Sequence, residues 1–168
     1  ELAMMQTSRL VAFVAVLAFT ITASFGQEWN RFRGRGGLGA SEATSIPTTW
    51  TNRDYAWRVP LPGLAHSSPV IWGDRLYLTS AIQEDATRCI YCIDASDGRL
   101  VWERSFPSRT FDMGNATAYD ACSPAVDENH VYVVWANPEQ CIILAMDRHQ
   151  GDPVWQRDMG PIDSEHGF

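Results

Sequence analysis

The sequence predicts an all-β fold: a β-propeller, built of radially stacked four-stranded antiparallel blades. Three observations predict it. The stretch Asp94-Ala95-Ser96-Asp97-Gly98-Arg99-Leu100-Val101-Trp102 returns 53 residues later, from Asp147 to Trp155, so the pattern Asp-x-x-x-Gly-x-x-x-Trp is written twice. Each copy follows an apolar run of strand-like composition, and no stretch after residue 26 sustains a helical period. The inner runs 131–135 and 141–146 are apolar at nearly every position, so both faces of their sheet must be covered; a sheet with one wet face alternates. Four short strands per unit, a repeat of about 50 residues and two covered faces point to blades. A flat sandwich would not repeat at that period.

The elements follow in order. The first copy is expected to place strands at 69–72, 75–81, 88–94 and 99–106. Gly73-Asp74, a polar loop and Ser96-Asp97-Gly98 separate them. The second copy places them at 124–126, 130–136, 140–147 and 153–159. Ser68-Pro69 matches Ser123-Pro124 at a spacing of 55, which falls to 53 because the second copy's loop is shorter. Ala56-Trp57-Arg58-Val59 matches Val101-Trp102-Glu103-Arg104, so residues 55–61 read as the outer strand of an earlier blade. The expected organisation is a leader at 27–54, a blade edge at 55–61, a blade at 66–106, a blade at 121–159 and the start of a next blade at 160–168. That is a propeller fragment: two full blades plus edges of two others. Unclosed blades leave apolar faces bare.

The repeated pattern has a mechanical reading. Asp94 and Asp147 end their third strands and can accept hydrogen bonds from the turn backbone. Gly98 and Gly151 can take the positive φ that such a turn needs. Trp102 and Trp155, and Trp57 in the partial copy, fall on outer strands, where a flat ring can cover a neighbouring blade. These seven residues are docking hardware rather than an active site.

The first 26 residues read as a secretory signal. Met4 or Met5 reads as the start, Arg9 supplies the positive region, and residues 10–21 form an apolar run short for a bilayer span. Ser24-Phe25-Gly26 places cleavage before Gln27. No Cys follows the apolar run, so no lipid anchor is expected; the mature chain is expected to be exported, periplasmic or extracellular, without a transmembrane segment. The net charge of −7 argues against nucleic acid. All 13 basic residues are Arg, which excludes a Walker A loop or a kinase fold, both of which need Lys. Cys89-x-x-Cys92 has a redox or metal spacing. It falls in a strand-like run, where positions three apart face opposite ways, so Cys89 and Cys92 are expected to be buried structural thiols.

On these residues the chain resembles the quinoprotein-like, or pyrroloquinoline-quinone (PQQ)-like repeat, β-propeller family of exported bacterial proteins. The family's docking motif runs Ala-x-Asp-x-x-x-Gly-x-x-x-Trp. Ala145, Asp147, Gly151 and Trp155 match it; Asp94, Gly98 and Trp102 match with Cys92 in place of Ala. Asp97 and Gln150 stand where family blades usually carry Thr. The leader Trp29-x-x-Phe32-Arg33-Gly34-x-x-Gly37-x-Gly39 is similar to the Trp-x-x-Phe-Arg-Gly start of this group. The resemblance implies the fold across residues 29–168. Motif and spacing identify no catalytic constellation, so the expected function is an exported scaffold or binding protein. It would hold a protein partner or a small ligand without catalysis and without a resident cofactor. The resemblance also implies an alternative, a PQQ- and Ca²⁺-dependent dehydrogenase of alcohols or sugars whose catalytic residues lie in further blades.

Four residues are candidates for ligand contact. His66 precedes a first strand and His166 leads toward the next; first strands line a propeller's channel. Tyr119 and Asp120 occupy the same lead-in before Ser123. The bland reading of all four is hydrogen bonding at the rim. Arg31, Arg33 and Arg35 among Gly34, Gly36, Gly37 and Gly39 could cradle an anion on backbone amides, against the simpler reading of a leader packed on the blades. Asn115-Ala116-Thr117 fits a glycosylation sequon. Trp72, Tyr132 and Trp135 read as blade core.

Overall fold

The computed structural model describes residues 28–113, 118–120 and 122–162. The expected signal peptide, His166 and the Asn115 sequon lie outside the described residues. Eight strands form two sheets. The first contains β1 (Val70–Trp72), β2 (Arg75–Ala81), β3 (Arg88–Asp94) and β4 (Leu100–Phe106). The second contains β5 (Ala125–Val126), β6 (His130–Asn137), β7 (Gln140–Asp147) and β8 (Pro153–Asp158). Each sheet has four strands in sequence order, and every pairing is antiparallel. Two up-and-down sheets of the same register are two propeller blades.

The strand limits follow the sequence closely, with instructive trims. β1 and β5 begin one residue after Pro69 and Pro124, because proline has no N–H for a ladder. β8 does begin at Pro153, on the outermost strand, where a missing donor is tolerated. The third and fourth strands of each blade slip by one residue at the same place, between Cys92 and Ile93 and between Ala145 and Met146. A bulge there raises the local twist just before the Asp-Gly turn. Residues 55–61, expected as a strand, adopt none, since no strand among the described residues lies beside them to complete a ladder.

The core lies between the sheets. Val70, Tyr77, Ile90, Cys92 and Trp102 of the first blade meet Val126, Val131, Val133, Trp135, Ile142, Leu144 and Met146 of the second. The alternate residues of β3, Cys89, Tyr91 and Ile93, face the other way and pack under Trp57, Val59 and Leu61. This two-sided burial is why β3 is apolar at nearly every position. Trp135 is core, as expected, and Trp72 packs half-buried against the same cluster. Tyr132 is half-buried with its hydroxyl donating to Asp127 Oδ2 at 2.7 Å.

The two outer strands show what a neighbouring blade does. Trp102 on β4 is 7% exposed, whereas its repeat partner Trp155 on β8 is 43% exposed. Their sequences are equivalent; among the described residues, Trp102 has a following turn to cover and Trp155 does not. The indole of Trp102 lies over Gly151, where a Cβ would sit 2.7 Å from its Cδ2. Its Nε1 donates to the Arg148 carbonyl at 3.1 Å. Trp57 repeats the arrangement on Gly98 at 2.7 Å, with Nε1 donating to the Ala95 carbonyl at 3.0 Å. Both glycines have positive φ, 77° and 74°. Asp94 and Asp147 brace the turns: Asp94 Oδ1 accepts Ser96 N–H at 3.0 Å, and Asp147 Oδ1 accepts His149 and Gln150 N–H at 2.9 and 2.8 Å.

Gly151→Val should therefore destabilise the fold. It combines a strained backbone with a methyl group driven into a packed ring, and the expected loss is about 2–4 kcal/mol. The denaturant midpoint, with an unchanged slope, checks it; a midpoint equal to that of the parent chain contradicts the packing described.

Candidate functional site

The first blade is entered by a lead-in segment beside its second strand, and the second blade's lead-in also contacts that strand, at Thr79. Leu64 and Ala81 exchange two backbone hydrogen bonds of 2.9 Å, and Ser67 Oγ donates to the Thr79 carbonyl at 3.1 Å. The lead-ins of the two blades also touch each other. His66 N–H donates to the Asp120 carbonyl at 3.0 Å, and Ser68 N–H donates to Ser123 Oγ at 2.7 Å. The candidates His66, Tyr119 and Asp120 are thus brought to one seam between the blades, near the innermost strands.

Asp120 is buried in this seam. Thr79 Oγ1 lies 2.6 Å from its Oδ2 and 3.3 Å from the Cys122 carbonyl. A hydroxyl has a single proton, so the shorter contact, to the carboxylate, takes it. Burial pushes the Asp120 carboxyl up to about 6, against the Thr79 hydroxyl, the nearby Arg88 and the Ser67 hydroxyl, which all favour the ion. Arg88, at the head of β3, is 2% exposed. Its Nη2 donates to the Ala136 carbonyl of the second blade at 3.1 Å. Nε and Nη1 have no hydrogen-bond partner among the described residues, so Arg88 acts on Asp120 through space rather than by contact. Burial also pulls the Arg88 guanidinium below its usual range. Tyr119 closes the cluster: its hydroxyl donates to the Phe111 carbonyl at 3.2 Å, and its ring centre lies 5.9 Å from the Arg88 guanidinium carbon.

Chemically, the seam holds a carboxyl that titrates near neutrality beside a desolvated cation. His66 contributes its backbone, and its side chain lies at the exposed surface. Thr79, Ser67 and Arg88 were not singled out by sequence. The available signal was a lone Arg heading an otherwise apolar strand. Among the described residues, no group of three or more His, Cys, Asp or Glu is placed to hold a metal ion. Elsewhere, a surface cleft is lined by Pro107, Ser108, Asn137 and Gln140, with the Arg109–Glu139 ion pair at its mouth. None of the three described candidates, His66, Tyr119 and Asp120, lines it.

The other sequence readings resolve in the same structure. Cys89 and Cys92 are buried on opposite faces of β3 and carry free thiols. Burial raises the Cys92 thiol to about 11, which keeps it protonated and unreactive. Cys122 is exposed. The hydrogen bonding of the leader agrees with the simpler reading, a leader packed on the blades, over the anion cradle. The amides of Gly34, Gly37 and Gly39 already donate to the carbonyls of Arg31, Gly34 and Arg33 at 2.8, 3.0 and 2.8 Å, so these three donors are engaged within the leader.

The raised Asp120 carboxyl fixes a sign for pH dependence. A folded-state value above the unfolded one adds stability that is complete below about 4 and disappears as pH rises through about 6. Lowering the pH from 7 to 5 should therefore stabilise the chain, by an amount on the order of 1–2 kcal/mol from this group. Asp120→Asn should flatten that segment of the profile. Thermal melts between pH 4.5 and 7.5 check it; a wild-type profile that the variant reproduces would exclude Asp120 as the source.

A family model described as outer membrane protein assembly factor BamB matches residues 48–165, well over half of the chain. No curated protein matches. Among solved structures, BamB from Moraxella catarrhalis is 24% identical, with a TM-score of 0.46 over 65% of this chain and 29% of its own. The quinohemoprotein alcohol dehydrogenase ADHIIG from Pseudomonas putida HK5 is 18% identical, with a TM-score of 0.41 over 56% of this chain and 13% of its own. A europium-containing methanol dehydrogenase is 13% identical, with a TM-score of 0.33 over 57% of this chain and 25% of its own. The chain spans less than a third of the length of each. The match of residues 48–165, on two sheets docked through the repeated Trp and Gly, places the chain in the PQQ-like repeat family of BamB-type β-propellers.

Proposed function

We propose that the chain is part of an exported propeller that binds a protein partner or a small ligand and performs no catalysis of its own. One observation carries this reading: two of the three repeated Trp residues are committed to covering a following turn. Trp57 and Trp102 cover Gly98 and Gly151, and their indole N–H groups are taken by turn carbonyls. The polar seam is tied up in the same way, with Asp120 held by Thr79 and Arg88 anchored on the Ala136 carbonyl. Side chains engaged in this way fix a rigid surface, and a rigid surface suits binding. The family description, an outer-membrane protein assembly factor, agrees with work done through protein contacts. Export rests on the signal-like residues 1–26. Among the described residues, no helix is long and apolar enough to cross a membrane.

Titration of the purified exported protein with PQQ in the presence of Ca²⁺, followed by Trp fluorescence, tests the reading. No saturable quenching is expected at quinone concentrations well above micromolar. Saturable quenching that requires Ca²⁺ would replace the binding protein with the dehydrogenase.

A further inference from the structure

The leader reaches the inner edges of both blades. β1 and β5 are the first strands of their blades, each with one sheet neighbour among the described residues. Ile71 N–H in β1 donates to the Trp29 carbonyl at 2.9 Å, and Val126 N–H in β5 donates to the Asn30 carbonyl at 2.9 Å. Two consecutive leader carbonyls therefore serve one inner strand each, one per blade. The first contact is itself a bridge, antiparallel between Trp29 and Ile71.

The segment that follows is folded into a compact turn. Gly34, Gly37 and Gly39 donate back to Arg31, Gly34 and Arg33. The ring of Trp29 lies over Gly34, which is buried with φ 70°; a Cβ there would sit 2.5 Å from Trp29 Cε3. Gly39, with φ 68°, leaves room for Arg33, whose Nε would be 3.1 Å from a Cβ. Trp29 and Gly34 thus repeat, within the leader, the indole-on-glycine contact that joins the blades.

We propose that residues 29–39 form a strap that ties the inner strands of the two blades together and closes these edges to any other extended segment. An open strand edge is a template for pairing with another chain. Here the chain's own leader takes one ladder position on each edge, and the Trp29–Gly34 contact holds it there.

Amide hydrogen exchange on the 168-residue chain, read residue by residue, tests the strap against Trp29→Ala and Gly34→Val. The amides of Ile71 and Val126 should be protected in the parent chain. In both variants they should exchange faster by about tenfold or more, while the β2–β3 and β6–β7 ladders keep their rates. If Gly34→Val fails to fold, Trp29→Ala alone decides, because it leaves the backbone turn free of strain. Unchanged protection at Ile71 and Val126 in Trp29→Ala would overturn the strap. So would fast exchange of these two amides in the parent chain, or an equal acceleration of every amide.

Discussion

The contact between Trp102 and Gly151 sets how the two blades meet. Glycine has no Cβ, so the indole can lie directly on the turn backbone of the next blade. The ring face is buried while its polar Nε1 finds the Arg148 carbonyl. Tyr77 donates its hydroxyl to the same carbonyl at 3.2 Å, which two lone pairs permit; burial raises that phenol to about 12, so it remains a donor. Burying a Trp side chain contributes about 3–5 kcal/mol by truncation measurements, against about 1 kcal/mol for a net hydrogen bond. Packing therefore supplies most of the attachment, and the hydrogen bonds fix its rotation. The bulges, the positive-φ glycines and the Asp caps all serve to present this turn to the ring.

Two kinds of carboxylate show how position decides chemistry. Asp94 sits at a surface turn, where the Ser96 hydroxyl and amide, then Arg75, hold its carboxyl below the usual range. It stays ionised and works as a cap. Asp120 sits between the blades, where loss of water outweighs its hydrogen bonds and the nearby Arg88. Its carboxyl, raised to about 6, lies where the two lead-ins touch. The same seam joins β3 to the second blade through Arg88 and Ala136. A polar tie at the lead-ins and an apolar tie at the outer strand hold one blade to the next at two places.

Much of this architecture was legible in the sequence. The doubled Asp-x-x-x-Gly-x-x-x-Trp gave the blades and the docking contact, because its residue types each have a narrow physical use. β2, β3 and β7 fall where their apolar runs predict. Residues 55–61 show the limit: the sequence matches an outer strand, yet a strand exists only beside another, and composition cannot state that. The seam was half legible. Tyr119 and Asp120 stood out as polar residues in a lead-in, but Thr79 and Arg88 looked like ordinary strand residues until pairing brought them beside Asp120. The strap was not legible either. Glycine and arginine in the leader read as a segment packed on the blades ahead of an anion cradle, and the Trp29 and Asn30 carbonyls, at Ile71 and Val126, show where that segment is tied.

Indole N–H exchange in the 168-residue chain tests the central claim most directly, since Trp57, Trp102 and Trp155 hold the same place in one partial and two full copies of one motif. Trp57 and Trp102 lie on the glycine of a following turn, while Trp155 is exposed. The account predicts slow exchange at Trp57 and Trp102 and fast exchange at Trp155. Equal rates at all three would mean that the rings are not held by the neighbouring turn, and the docking account would fail.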